Sequence, residues 1–273
     1  MKKMENIQLI ASDMDHTLLT EKGELPPDFN SDILALEQLG VSFAIASGRP
    51  LYTLTNLFSE LNEKMIFISD NGGLISYKGK IIFKSLISPV DYKTMIHFVE
   101  EQTNGIAILC GLDSAYLSEK HKKYAAFLRT FYTNITFVED IQSIQIDIDK
   151  FTIYFPENDS KVNYHEKIMP KFNEKFSVTI GDTIWIDIMN KGVDKGQAMA
   201  ILGEKLGIDS SQMMAFGDTY NDKEMLQYVK YSYIVGNADE DMKQYAQFVT
   251  KTNDEYGVTK VIEELIEIKN NLR

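Results

Sequence analysis

Residues 9–19 read Leu9-Ile10-Ala11-Ser12-Asp13-Met14-Asp15-His16-Thr17-Leu18-Leu19: an apolar run ends in two carboxylates spaced i, i+2, and a hydroxyl follows two residues later. On a strand, i and i+2 point to the same side. Both acids can therefore face one reacting centre where strand gives way to loop. Two like charges so close repel unless a cation or a shared proton intervenes. The pair implies either a bound metal with a phosphate-like ligand or two carboxyls with divided roles. Taken alone, it is equally compatible with an acid that caps a helix or ends a strand in solvent.

Three further segments narrow the choice. In Val41-Ser42-Phe43-Ala44-Ile45-Ala46-Ser47-Gly48-Arg49-Pro50 an apolar run ends in Ser-Gly, and Pro50 suits the first turn of a helix. Hydroxyl, glycine and fresh helix N-terminus together make a small anion-binding cup. In Gly192-Val193-Asp194-Lys195-Gly196-Gln197, Asp194 reads as the N-cap of a helix over 195–206. Lys195 then sits in the first turn, where a cation opposes the helix dipole by about 0.3–1 kcal/mol. The placement makes sense if Lys195 faces a carboxylate or a bound phosphate. In Met213-Met214-Ala215-Phe216-Gly217-Asp218-Thr219-Tyr220-Asn221-Asp222 a second apolar strand ends in acids. Asp218 can share a metal with Asp13, while Asn221 and Asp222 can bond phosphate or metal-bound water. Four such strand-end clusters in one chain define an active site.

In this order the four segments resemble the haloacid dehalogenase-like (HAD) hydrolase superfamily, and within it the Cof-type phosphatases. The family's Asp-x-Asp-x-Thr is matched by Asp13, Asp15 and Thr17, its strand-end Ser or Thr by Ser47, and its lysine by Lys195. Its Gly-Asp-x-x-Asn-Asp is matched by Gly217, Asp218, Asn221 and Asp222. Smaller similarities are Asp70-Asn71-Gly72-Gly73, Gly236-Asn237-Ala238 and Asn253-Asp254-Glu255-Tyr256-Gly257-Val258. His16 departs from the usual Gly, and Thr219 from a smaller residue; His tolerates positive φ better than most non-glycine types.

The resemblance implies a Mg²⁺-dependent phosphatase acting on a small phosphorylated metabolite, a sugar phosphate above all. Asp13 would be the nucleophile that forms an aspartyl-phosphate, and Asp15 the general acid and then base. The metal would be held by Asp13, the backbone carbonyl of Asp15 and Asp218, with Asp222 orienting metal-bound water. Ser47, Gly48, Lys195 and Asn221 would hold phosphate oxygens, with Arg49 as a further substrate contact. A phosphomutase and a receiver-like phosphate sensor are the alternatives, together with a catalytically silent binding module. A receiver has no need of an acid two residues after its nucleophile, and a silent module would be expected to have lost Asp13 or Asp218.

Bulk composition sets the outer limits. The 273 residues, 44% hydrophobic and 25% charged, fit an ordinary globular protein of one large domain or two modest ones. A net charge of −12 argues against nucleic acid or an anionic membrane as partner. It also repels a phosphorylated substrate at long range, so attraction must come from a metal, Lys195 and Arg49. No obligatory protein partner is evident. The single cysteine, Cys110, excludes an intrachain disulfide and fits a reducing cytoplasm. Lys2 and Lys3 precede an apolar run too short for a signal peptide, and no stretch of 18 apolar residues occurs.

Outward from the first motif, apolar strands over 7–12, 41–46 and 65–69 alternate with helices over 29–39 and 50–61. This is the signature of a parallel α/β sheet. Residues 74–77 and 80–84 read as a hairpin around Lys78-Gly79. Across 86–189 no motif occurs. That span reads as helix (89–102), strand (106–109), helix (119–132), strands (135–138 and 149–155), helix (158–175), and two strands within 176–189 turning at Gly181-Asp182. Alternation returns in 190–273 with helices over 195–206, 221–229, 238–246 and from 255, and strands over 213–216 and 231–235. The expected architecture is α/β: a Rossmann-like parallel-sheet core from 1–85 and 190–273, interrupted by an α/β cap domain at 86–189.

Overall fold

The computed structural model describes residues 4–181 and 183–273. Lys2, Lys3 and the Asp182 half of the expected turn lie outside the described residues. The chain divides into two compact units. One comprises Met1–Gly48, Phe58–Ile82 and Asp194–Arg273; the other comprises Arg49–Leu57 and Phe83–Val193.

The first strands are β1 (Leu9–Ser12), β2 (Ser42–Ala46), β3 (Ile66–Ser69), β4 (Leu74–Tyr77) and β5 (Lys80–Lys84). Next come β6 (Ile106–Gly111), β7 (Ala115–Ser118), β8 (Ile135–Val138), β9 (Ile148–Tyr154), β10 (Phe176–Gly181) and β11 (Trp185–Asn190). The last are β12 (Met213–Gly217), β13 (Tyr231–Ile234) and β14 (Phe248–Val249).

In the first unit the sheet order is β14-β13-β12-β1-β2-β3-β4-β5. It is parallel from β14 to β3 and turns antiparallel at β4. Every residue of β1, β3, β12 and β13 is buried, as strands covered on both faces require, and this is why they read as largely apolar runs. Strand order runs outward in one direction from β1 to β3 and in the other from β12 to β14. The switch point therefore lies between β1 and β12, and ligands of open α/β sheets bind beyond the carboxyl ends of strands at such a point.

Helix Phe29–Gln38 buries Phe29, Ile33 and Leu36, and contacts the terminal helix Gly257–Asn270. That last helix buries Val258, Val261, Ile262 and Leu265, the spacing of a core-facing stripe. Helix Lys195–Leu206 begins at an N-cap whose carboxylate accepts from the Gln197 N–H at 2.7 Å, and it ends at Gly207 in the left-handed region.

The second unit is a six-stranded sheet ordered β10-β11-β9-β6-β7-β8, antiparallel except between β7 and β8. Alternation divides its strands between two cores. Ala107, Leu109, Phe151, Ile153, Ile186 and Ile188 pack with Tyr92, Met95, Ile96 and Val99 of helix Pro89–Gln102. On the other face Ile106, Ile108, Cys110 and Tyr154 meet Leu128, Tyr132 and Tyr52. Helix Leu51–Leu57 joins this unit: the Thr53 hydroxyl donates to the Phe131 carbonyl at 3.3 Å, and the Asn56 amide donates to Thr133 Oγ1 at 3.2 Å.

Several elements differ from the sequence expectation. Residues 119–132 form a 3₁₀ segment, Glu119–Tyr124, and a single α turn, Ala125–Leu128. Residues 158–175 hold a π turn, Tyr164–Ile168, between two short α segments. Pro170 lies just beyond it and has no N–H to close an ordinary helical bond. The 238–246 helix is a 3₁₀ segment, Glu240–Tyr245. Strands β7 and β14 were not expected, being four and two residues long.

Candidate active site

Asp13 stands one residue beyond β1, and its N–H donates to the Phe216 carbonyl of β12 at 3.0 Å, extending the parallel ladder. Asp218 stands one residue beyond β12. Their strands are hydrogen-bonded neighbours in register Ser12↔Phe216, so two acids 205 positions apart emerge side by side at the switch point.

Lys195 begins its helix wholly buried. Its Nζ donates to Asp13 Oδ1 at 2.6 Å and to Asp222 Oδ1 at 2.7 Å. Burial pushes this lysine toward neutrality, but the charges of Asp13 and Asp222 outweigh it and hold its pKa above the ordinary value. The unfavourable position at a helix N-terminus is thus offset by two carboxylates.

Asp222, also wholly buried, organises the second acidic turn. Its Oδ2 accepts the N–H groups of Asp218 and Thr219 at 3.0 and 3.2 Å. The side chain crosses directly over Gly217: a Cβ there would lie 2.5 Å from the Asp222 Cβ, so only glycine fits. Asp218 Oδ1 accepts from the Thr17 hydroxyl at 2.8 Å, which ties the last motif to the first.

One carboxylate oxygen each of Asp13, Asp218 and Asp222 lies within 4.8 Å of the others. With all three acids ionised and Lys195 protonated, this buried cluster carries a net charge of −2. The strain shows in the acids. Burial raises Asp13 well above the usual carboxylate range; Lys195 pulls it back, and Asp222 and Asp218 add to the rise. Burial, then the charge of Asp222, pushes Asp218 up to about 6. A divalent cation bound to hard oxygen ligands relieves such a cluster, so the residues present fit one.

The other residues singled out in the sequence are placed as follows. Asp15 is half-buried in the turn after β1, and its carboxylate is outside the converging triad. Ser47 is buried at the end of β2, where its N–H donates to the Ile68 carbonyl at 2.9 Å. Gly48 follows it and lies against the Asn71 side chain. The Asn221 amide donates to Asn71 Oδ1 at 3.1 Å. Arg49 belongs to the second unit, where it donates to the Thr130 carbonyl at 3.3 Å and lies 5.9 Å over the Phe131 ring. His16 takes a φ of 61° and is exposed, with Nδ1 3.3 Å from Glu21. Sequence reasoning assigned no chemistry to Asn71. Its signal in the sequence was membership of Asp70-Asn71-Gly72-Gly73, a smaller similarity to the family that follows an apolar strand.

A family model for haloacid dehalogenase-like hydrolases matches residues 10–262 of this chain. The chain is 27% identical to the 5-amino-6-(5-phospho-D-ribitylamino)uracil phosphatase YbjI of Escherichia coli strain K12, over 96% of this chain and 97% of that protein. It is also 27% identical to the phosphatase of the same designation, YcsE, of Bacillus subtilis strain 168, over 94% and 95%. Among solved structures, SMU.1108c from Streptococcus mutans UA159 superposes with a TM-score of 0.88 at 29% identity, covering 96% of this chain and 99% of that one. The protein belongs to the haloacid dehalogenase-like hydrolases. It is an enzyme of the phosphoric monoester hydrolase class.

Proposed function

We propose that this enzyme is a Mg²⁺-dependent phosphatase that hydrolyses a small phosphorylated metabolite, a sugar or related polyol phosphate, through an aspartyl-phosphate. The observation that carries the reading is the buried cluster of Asp13, Lys195, Asp218 and Asp222 at the carboxyl ends of two adjacent parallel strands. The ribityl phosphate in the names of the Escherichia coli and Bacillus subtilis relatives supports a polyhydroxylated substrate.

An Asp13 carboxylate oxygen attacks phosphorus; the new P–O bond forms as the ester P–O bond breaks. Asp15 gives its proton to the departing oxygen, then takes one from the water that attacks the phosphorylated aspartate, and Asp13 is released with inorganic phosphate. Lys195 holds Asp13 in place and lends positive charge to the phosphoryl oxygens. Ser47, the Gly48 amide and Asn221 supply the remaining donors. Asp13, Asp218 and the Asp15 carbonyl would hold Mg²⁺, with Asp222 beside them. When bound, the ion neutralises charge between nucleophile and phosphoryl group. Phosphoryl transfer needs positioning and charge stabilisation above all, and this set supplies both.

The second unit contributes none of the converging carboxylates, and we assign to it the choice of substrate. No helix among the described residues is long and apolar enough to cross a membrane. The lone buried thiol, Cys110, supports residence in the reducing cytoplasm.

Phosphate release from a panel of phosphorylated sugars, polyols, nucleotides and cofactors tests the reading. Mg²⁺-dependent release from sugar or polyol phosphates, abolished by chelation, is expected. Full turnover in excess chelator removes the metal role, and transfer of phosphate between substrate hydroxyls without release replaces hydrolase with mutase.

A further inference from the structure

Asp70, Asn71 and Gly72 follow β3 with three consecutive positive φ angles of 50°, 55° and 102°. All three are buried. Two non-glycine residues in succession rarely hold this conformation, and it persists only where the surroundings impose it. Here the surroundings are the pieces of the active site. The Asn71 N–H donates to the Ser47 carbonyl at 3.0 Å. Asn71 Oδ1 accepts from Asn221 Nδ2, from a residue 150 positions away. Gly48 lies so close that a Cβ there would be 3.2 Å from Asn71 Oδ1 and 3.3 Å from Nδ2. A Cβ on Gly72 would fall 2.4 Å from the carbonyl of Asp194, the cap of the Lys195 helix. One strained turn touches the strand end bearing Ser47, the loop bearing Asn221 and the start of the helix bearing Lys195.

The consequence falls on Asn221. Its Oδ1 accepts from the Thr219 hydroxyl at 2.6 Å, and one Nδ2 proton goes to Asn71. An amide fixed at both ends has one orientation and presents its second Nδ2 proton as a donor. We propose that Asn71 is a positioning residue for phosphate. It sets the orientation of the Asn221 amide and ties it to the Ser47-Gly48 turn, so that donors from two distant segments address one anion. This rests on the phosphate-binding roles assigned above to Ser47, Gly48 and Asn221.

The test is calorimetric binding of inorganic phosphate to the full chain in the presence of Mg²⁺, which needs no turnover. Asn71→Gly keeps a backbone suited to positive φ and deletes only the amide. It should weaken phosphate about tenfold, the scale of one hydrogen bond to a charged group. In an Asn221→Ala background the same change should cost less than twofold, because its target is gone. Equal losses in both backgrounds, or none in either, overturn the proposal, as does wild-type protein that binds no phosphate. Gly48→Ala gives a second route should Asn71→Gly fold poorly. Its methyl should crowd the Asn71 amide and weaken phosphate in the parent, and the loss should vanish when Asn71 is Gly. A Gly48→Ala loss that survives that change counts against it. Wild type that binds phosphate but cleaves no ester sinks the hydrolase reading and leaves the coupling measurable. Wild type that cleaves esters without coupling sinks the positioning role alone.

Discussion

At the scale of single residues, the roles proposed for Asp13 and Asp15 can be separated by experiment. Asp13→Asn would remove the proposed nucleophile and should abolish every trace of phosphoenzyme. Asp15→Asn leaves Asp13, Lys195 and Asp218 in place and loses proton transfer, worth about 10²–10⁴ in rate. With an aryl phosphate whose leaving group needs no proton, rapid-quench labelling should show a phosphoenzyme burst in Asp15→Asn alone; labelling in both variants, or the reverse pattern, shows the roles wrongly assigned. Lys195→Met leaves Asp13 and Asp222 facing each other uncompensated in a buried space. It should cost about 3–5 kcal/mol in denaturant unfolding. Adding Asp13→Asn should recover part of that loss; a purely additive double variant would show that the pair is not the cause. Asp13 and Asp218 could be singled out in the sequence because each directly follows an apolar strand, and strand ends converge in a parallel sheet. The contacts of Asn71 and Thr17 were harder to read than the residues themselves. Their value lies in bonds to Asn221 and Asp218, 150 and 201 positions away, and no local pattern encodes those.

Between helices, the same logic of buried charge applies without chemistry. Asp32 lies in the first turn of helix Phe29–Gln38, facing Glu263 of helix Gly257–Asn270 and Asp28 of its own N-cap. Its Oδ2 finds no hydrogen-bond partner among the described residues. Burial first, then Glu263 and Asp28, push Asp32 up to about 6. The folded state therefore binds a proton more tightly than the unfolded chain, and stability falls as pH rises from about 4 through 6. Asp32→Asn should remove that fall and stabilise the protein at pH 7.5 by about 1 kcal/mol, after discounting for solvent screening. Thermal unfolding at pH 4.5 and 7.5 checks it: the variant's advantage must appear only at the higher pH. The elements that resisted prediction are those that periodicity does not describe. The 3₁₀ run Glu119–Tyr124 is almost wholly polar and buries none of its residues, so no apolar spacing marks where its tighter turns replace an α-helix. In the same way helix Leu51–Leu57 reads as an ordinary crossover of the first unit. Its partners Phe131 and Thr133 lie some 80 positions on, beyond any local signal.

For the molecule as a whole, two compact units share one chain that crosses between them more than once. The crossings fall at 48/49, 57/58, 82/83 and 193/194. The proposed cation ligands Asp13, Asp218 and the Asp15 carbonyl, with Asp222 beside them, all belong to the first unit, in loops leaving β1 and β12. A ligand that binds only the folded site stabilises it by RT ln(1 + [L]/Kd), about 2.7 kcal/mol at a hundredfold excess over Kd. That energy reaches only the structure that must open to release the ion. Native-state hydrogen exchange should therefore show Mg²⁺ slowing the amides of β1, β12 and helix Lys195–Leu206 by up to about a hundredfold. The amides of β6 and β9, whose core contains none of these ligands, should exchange as before. Chelator should reverse the first effect and leave the second unit untouched. Equal slowing in both units would mean that they open as one cooperative block. No slowing in either would remove the cation from the site.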